Sequence, residues 1–212
     1  MAASVDDPPA VRRARLSPDE RRAQLIALGV AALAEHPLGE LNIEALATEA
    51  GVSRALLFHY FGSRQGFQRE IVKTAGESML QATEPDADLA PLPRLTDTLR
   101  RTVGFVRAHA GTFSSLVRGP ASGDAQIRAV VEQARLLQTE RVVALFRELG
   151  AEPSLRLHIG LRSWLAFTEQ ALVDAAIGEQ LGDEELVELL RESLHGIAER
   201  LEPAASRVLF GD

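Results

Sequence analysis

With 212 residues, 46% of them apolar, the chain has enough material to bury a large core or two smaller ones, which excludes disorder except at its ends. It has no cysteine, which excludes disulfides and thiolate chemistry, and no apolar run near the roughly 20 residues needed to cross a bilayer. The formal charge of −7 is unevenly spread: residues 1–75 hold nine Lys/Arg and nine Asp/Glu, so the acidic excess lies wholly in residues 76–212.

Residues 1–16 are polar and proline-containing and predict a mobile arm with no export signal, which favours the cytoplasm. Arg12, Arg13 and Arg15 near its end can touch DNA beside a following reader domain or simply solubilise the chain, and both readings stand. Ser17-Pro18-Asp19-Glu20 is a capping box with proline at the first helical position. It predicts a helix to about His36 with Leu25, Leu28, Ala32 and either Leu33 or Ala34 inward, ended by Pro37 and Gly39. Asn42 then caps a helix whose apolar side is Ile43, Leu46, Ala47 and Ala50. Gly51 stops it, Val52 plugs the corner and Ser53 caps a short helix from Arg54 to Phe61. Eight residues make roughly 12 Å of helix, comparable to the width of the B-DNA major groove.

Ser63 caps a fourth helix running to about Thr83 and burying Phe67, Ile71, Val72 and Leu80. Residues 84–93 read as a loop. Helices follow at about 94–109, 111–117, 125–149, 153–179 and 183–201, with breakers at Gly111, Gly119-Pro120, Ser122-Gly123, Gly150 with Pro153, and Gly182. No strand-like alternation competes, so the expected fold is all-α: a three-helix helix-turn-helix head and a C-terminal helical bundle body, about nine helices in all. The expected divisions are an arm at 1–16, a DNA-binding head at 17–62 with its motif at about 42–61, a body at 63–203 to which the resemblance given below assigns ligand binding and dimerisation, and a tail at 204–212. Within Gly51–Ala75, Arg54, Arg64, Arg69 and Lys73 face one acid, Glu70. A basic foot on an acidic body orients the molecule toward a polyanion.

From Ile43 to Phe67 the chain resembles the TetR family of bacterial transcriptional regulators. The family pattern runs close to Thr-x-x-x-Ile-Ala-x-x-Ala-Gly-Val-Ser-x-Gly-x-Leu-Tyr-x-His/Tyr-Phe-x-Ser-Lys. Leu46-Ala47, Ala50-Gly51-Val52-Ser53, Leu57, Tyr60-Phe61 and Ser63 fall on it in register. Ala55 stands where the pattern has glycine, Phe58 where it has tyrosine, and Arg64 where it has lysine. Arg64 keeps the charge in fork geometry, whereas Phe58 has no hydroxyl for a phosphate.

The resemblance implies double-stranded operator DNA as partner, met by Asn42, Arg54, Ala55, Leu56, His59, Tyr60 and Arg64. Arg54 is the candidate for a bidentate contact to guanine or, alternatively, a phosphate contact; Tyr60 and Arg64 grip phosphate. It implies a homodimer in which the last two long helices form a four-helix bundle, through Leu157, Leu161, Trp164, Leu165, Leu172, Leu186, Leu190, Leu194, Ile197 and Leu201. The alternative is that this stripe completes the core of a monomer. It also implies an unidentified small-molecule effector in the body, with Phe105, His109, Phe113, Gln138, Arg141, Trp164 and Phe167 as candidate lining. An acidic ligand is favoured if Arg141 or Arg118 faces the cavity, an apolar or aromatic one if neither does. No cofactor, membrane contact or catalytic residue is expected. His36, His59, His109, His158 and His195 include no pair at three- or four-residue spacing, so no metal site is expected. Glu184, Glu185, Glu188, Glu192 and Glu199 read as the wet face of a helix. The function implied is a ligand-released repressor. An activator, a ligand-independent regulator, or a small helical enzyme or metal-binding protein are the alternatives.

Overall fold

In the computed structural model, residues 16–118 and 124–211 are described; the arginines of the N-terminal arm and the Gly119-Pro120 and Ser122-Gly123 breakers lie outside them. Helix α1, Pro18–Ala32, begins at the capping box: the Ser17 hydroxyl accepts from Glu20 N, and the Glu20 carboxylate accepts from Ser17 N at 2.7 Å. That hydrogen bond from the backbone holds the Glu20 carboxyl below its ordinary pKa. The helix ends four residues earlier than expected, because residues 33–36 close as turns onto α1 carbonyls before Pro37. Leu25 and Leu33 are fully buried, while Ala34 is exposed.

Helices α2, Ile43–Glu49, and α3, Arg54–Phe61, carry the expected caps: Asn42 Oδ1 accepts from Ala45 N and Ser53 Oγ from Leu56 N. The corner between them needs φ +68° at Gly51, and the turn after α3 needs φ +75° at Gly62, conformations that favour glycine. Ser63 caps α4, Arg64–Ala82. Body helices α5, Pro91–Ala108, and α6, Ala110–Arg118, come next. They precede α7, Ala125–Glu148, capped by Asp124, and α8, Leu155–Ala171, capped by Ser154. Helix α5 starts three residues before the expected boundary, because Pro91 is tolerated at the first helical position. A wide π turn over Leu172–Ile177 prolongs α8, and α9 occupies Asp183–Leu201 as read.

The expected C-terminal tail is instead a tenth helix, α10, Pro203–Phe210, packed on α9 with Ala205, Ser206 and Leu209 buried. Pro203 opens it as a first-turn proline instead of ending the chain's regular structure.

Two hydrophobic cores result. One joins α1, α2 and α3 to Phe67, Ile71, Val72 and Ala75 of α4, and also takes in Leu116 of α6 and Ile127 and Val131 of α7. The other fills the body between α5, α7, α8, α9 and α10. The division expected at residues 62 and 63 falls inside the first core. A second seam joins head and body at Gly111 on α6, where a Cβ would lie 2.0 Å from the carbonyl oxygen of Ala34, just past α1.

Gly111→Ala must therefore separate two backbones, and an overpacking cost of about 1–3 kcal/mol is expected in urea denaturation. Gly104→Ala, on an exposed face of α5 with nothing near its Cβ, should stabilise by about 0.5–1 kcal/mol in the same assay.

Candidate nucleic-acid interface and body cavity

Helix α3 presents one wet face. Leu57 and Phe61 anchor it in the head core, while Arg54, Ala55, Leu56 and His59 are exposed together, as a reading helix requires. Leu56 is 38% exposed, an apolar side chain offered to solvent that suits contact with a thymine methyl. Arg54 is oriented twice: its Nη1 donates to Glu44 Oε1 of α2 at 2.6 Å, and its guanidinium lies 5.2 Å over the ring of Phe58. The phenylalanine that departs from the family pattern thus provides a platform for Arg54. The Glu44 carboxylate shares the exposed surface, so the positive charge of this face is partly offset locally.

The remaining expected contacts are placed less simply. Asn42 is exposed, with its carbonyl oxygen committed to the α2 cap. His59 meets the edge of half-buried Tyr60, ring centroids 6.0 Å apart. Arg64 is exposed, yet its Nη2 donates to the carbonyls of Gly39 and Leu41 at 2.7 and 3.2 Å, tying α4 to the turn that precedes α2. Gln68 Nε2 donates to Leu38 O on the same turn at 2.7 Å. Arg22 Nη2 joins α1 to α4 through Glu70 at 2.6 Å, its guanidinium 5.3 Å over the Phe61 ring. These ties hold α3 on α4, and neither Gln68 nor Arg22 was singled out from sequence, while Glu70 was noted only as the lone acid among four bases.

In the body a cavity of about 470 Å³ lies between α4, α5, α6, α7 and α8. Of the seven candidate lining residues, Phe113, Gln138, Arg141 and Trp164 border it. Phe105, His109 and Phe167 do not: Phe105 and exposed His109 pack on each other with centroids 4.5 Å apart, and Phe167 points outward from α8. The lining that sequence missed comes from all five helices and includes the whole contribution of α4 and α5, with Met79, Leu80, Thr98 and Thr102. The exposed members of the wall, among them Lys73, Glu77, Gln133 and Leu137, belong to α4 and α7, so the cavity opens between these two helices. Trp164 also fastens α8 to α9, its Nε1 donating to Leu190 O and Ser193 Oγ. The side chain of Arg118 lies outside the described residues.

The leucine stripes assigned to a dimer interface require correction. Leu157, Leu161, Trp164, Leu165, Leu172, Leu186, Leu190 and Leu194 are all buried within the protomer, and Ile197 and Leu201 are half-buried against Gly160 of α8. The stronger apolar stripe of each helix fills its own body core. A second, weaker stripe is left outside, formed by Leu155 (78% exposed), Ile159 (60%) and Phe167 on α8 and by Leu189 on α9. Among the described residues no group of His, Cys, Asp and Glu can hold a metal ion, and no helix is long and apolar enough to cross a membrane.

Residues 25–76 match the family model described as bacterial regulatory proteins, tetR family, and residues 91–196 match a tetracyclin repressor-like C-terminal domain. Over 179 residues the chain is 27% identical to the HTH-type transcriptional regulator EthR of Mycobacterium tuberculosis, covering 80% of this chain and 82% of that one. In fold it is similar to a tetR-family transcriptional regulator from Streptomyces coelicolor, with a TM-score of 0.79 at 24% identity, covering 92% of this chain and 88% of that one. It is similar too to the transcriptional regulator FadR from Bacillus subtilis, solved in complex with stearoyl-CoA, with a TM-score of 0.62 at 14% identity over 90% of this chain and 98% of that one.

Because Glu44 sits beside Arg54 on the exposed face, Glu44→Gln should raise affinity for mixed-sequence duplex DNA several-fold at low salt, measured by fluorescence anisotropy. An unchanged or lower affinity would place this pair away from the bound duplex.

Proposed function

The chain belongs to the tetR family of bacterial regulatory proteins, and from that premise we propose that it is a repressor that binds a palindromic operator as a homodimer and leaves it when a small molecule fills the body cavity. The observation that carries this reading is the double attachment of the cavity wall to the head. Helix α4 lines the cavity through Val72, Met79 and Leu80, and through Arg64 and Gln68 it grips the turn before α2. Helix α6 lines it through Phe113, Leu116 and Val117, and Gly111 rests on Ala34. An occupant that parts α4 from α6 or α7 must therefore move the reading helix, unless the head itself deforms.

A single recognition helix spans few base pairs, and two-fold symmetric dimers meet successive major grooves about 34 Å apart. The outer stripe of Leu155, Ile159 and Phe167, with Leu189, is the surface we assign to the partner copy; the arrangement is still a four-helix bundle, with different residues at its seam. Coupling is reciprocal: a ligand that weakens operator binding is itself bound less tightly by the DNA complex. The fold neighbour FadR was solved with stearoyl-CoA, which supports a small-molecule occupant for the cavity of this chain.

Selection of binding sites from genomic or random DNA fragments should return an inverted repeat; a single asymmetric half-site would count against a symmetric reader. Arg54→Ala should lower affinity for the selected site by about five- to 150-fold, the loss of about 1–3 kcal/mol attached to one bidentate base contact, with sedimentation unchanged. Ile159→Asp, at a position 60% exposed in the protomer, should give a folded monomer in sedimentation velocity and at least a hundredfold loss of operator affinity. A dimer that survives this change would move the interface off the α8 face.

A further inference from the structure

The walls of the cavity contain four cationic side chains, Lys73, Arg94, Arg135 and Arg141. Each already has a carboxylate. Lys73 stands 3.9 Å from Glu77, Arg94 is 2.6 Å from Glu148, Arg135 is 2.7 Å from Glu169, and Arg141 is paired with Glu84. The two arginines nearest the α4–α5 loop are further committed to backbone: Arg94 donates to Leu89 O at 2.7 Å, and Arg141 to Leu80 O and Thr83 O at 3.0 and 3.2 Å. Hydrogen bonding to Glu169 also holds the Arg135 guanidinium above its ordinary pKa.

Charge is thus satisfied before any ligand arrives. An anionic occupant would have to strip a carboxylate from an arginine, leaving that carboxylate without its partner, and a cationic one would have to do the converse.

Two uncharged groups of the wall are not satisfied. Thr83 and Thr102 each donate a hydroxyl back to the carbonyl four residues earlier, at 2.8 Å. Thr98 on α5 and Thr168 on α8 line the same cavity, and neither buried Oγ1 has a hydrogen-bond partner. Thr168 is only 4% exposed. A buried hydroxyl left unpaired costs roughly 1–3 kcal/mol, and a ligand group that pairs with it recovers part of that. The rest of the wall is aliphatic and aromatic, and a volume of about 470 Å³ suits a molecule of drug size.

We propose that the cavity takes a neutral, predominantly apolar molecule that carries one or two uncharged hydrogen-bonding groups for the hydroxyls of Thr98 and Thr168. The proposal rests on the effector reading of the cavity given above, and it narrows that reading to a chemical class. For Arg141 it also answers the choice left open by the sequence: this arginine borders the cavity, yet its charge is spent on Glu84 and two carbonyls.

Trp164, the only tryptophan of the chain, lines the cavity, so its fluorescence reports occupancy without DNA. Decanamide, decanoate and decylamine share a chain and differ in charge. Decanamide should quench or shift Trp164 emission with at least tenfold higher affinity than either ion. Equal or tighter binding of decanoate or decylammonium, or no saturable binding of decanamide, overturns the proposal. Thr98→Val with Thr168→Val should weaken decanamide at least fivefold while the melting temperature is held, and unchanged affinity overturns the role of the hydroxyls. Glu84→Ala, which frees Arg141, should raise decanoate affinity several-fold; no change overturns the closed-charge argument. Release from the selected DNA, followed in parallel, separates the two readings. Decanamide that binds without releasing DNA supports the ligand class and sinks the derepression mechanism, whereas release by decanoate alone does the reverse.

Discussion

Everything in this molecule depends on one helix being shared by two environments. The first half of α4, with Phe67, Ile71 and Val72, is as much a part of the head's core as α1 is. Its second half forms a wall of the body cavity. Burial of several large apolar side chains at about 1.5–3 kcal/mol each makes the head end of α4 inseparable from the reading helix. The cavity end is held instead by Arg141 of α7, which donates to Leu80 O and Thr83 O. A helix packed into the head at one end and walling a cavity at the other transmits displacement, because its backbone hydrogen bonds do not let it compress. Gly111 against Ala34 provides a second point at which the body touches the head, so head and body share a seam and not merely a hinge.

How far the sequence could be read follows from how local each signal is. The reading motif was legible residue by residue because its determinants are short-range: Asn42, Ser53 and Ser63 each cap a helix three residues away, and Gly51 and Gly62 supply the turns. The α8 and α9 stripes were legible as apolar faces, but periodicity says only that a face is buried, not against what. The leucines chosen for a partner proved to be the protomer's own core, and the face left over contains Ile159 and Phe167 among polar residues. Four of the seven candidate lining residues border the cavity, and the three that do not, Phe105, His109 and Phe167, are all ring-bearing side chains, which draw attention wherever they sit. Thr98, Thr102 and Leu80 were missed because nothing in their own segments marks them, and only the assembly of five helices brings them together. The stretch expected as a tail is a helix that Pro203 opens, a start signal that proline gives only in the first helical turn and that is easily passed over so near a chain end.

Charge is arranged with comparable economy. The excess of acid sits in residues 76–212, while residues 1–75, which add the arm and the first part of α4 to the head, carry equal numbers of acids and bases. Within the head, Glu44 directs Arg54 and Glu70 directs Arg22, so two of its guanidinium groups are held in defined orientations before DNA is met. In the body the pairing of Arg94, Arg135 and Arg141 serves a different end, sealing the cavity electrostatically while leaving two hydroxyls unpaired.

The π turn at Leu172–Ile177 has a geometric consequence for assembly. Past Leu172 the wider turn buries Ala175 and Ala176 and returns the chain to the body, so the outward stripe of α8 is confined to the stretch from Leu155 to Gln170. Sixteen residues at 1.5 Å each give a ruler of about 24 Å. In the homodimer proposed above, the point on that ruler at which two copies cross sets the separation of the two heads, and with it the spacing of the half-sites.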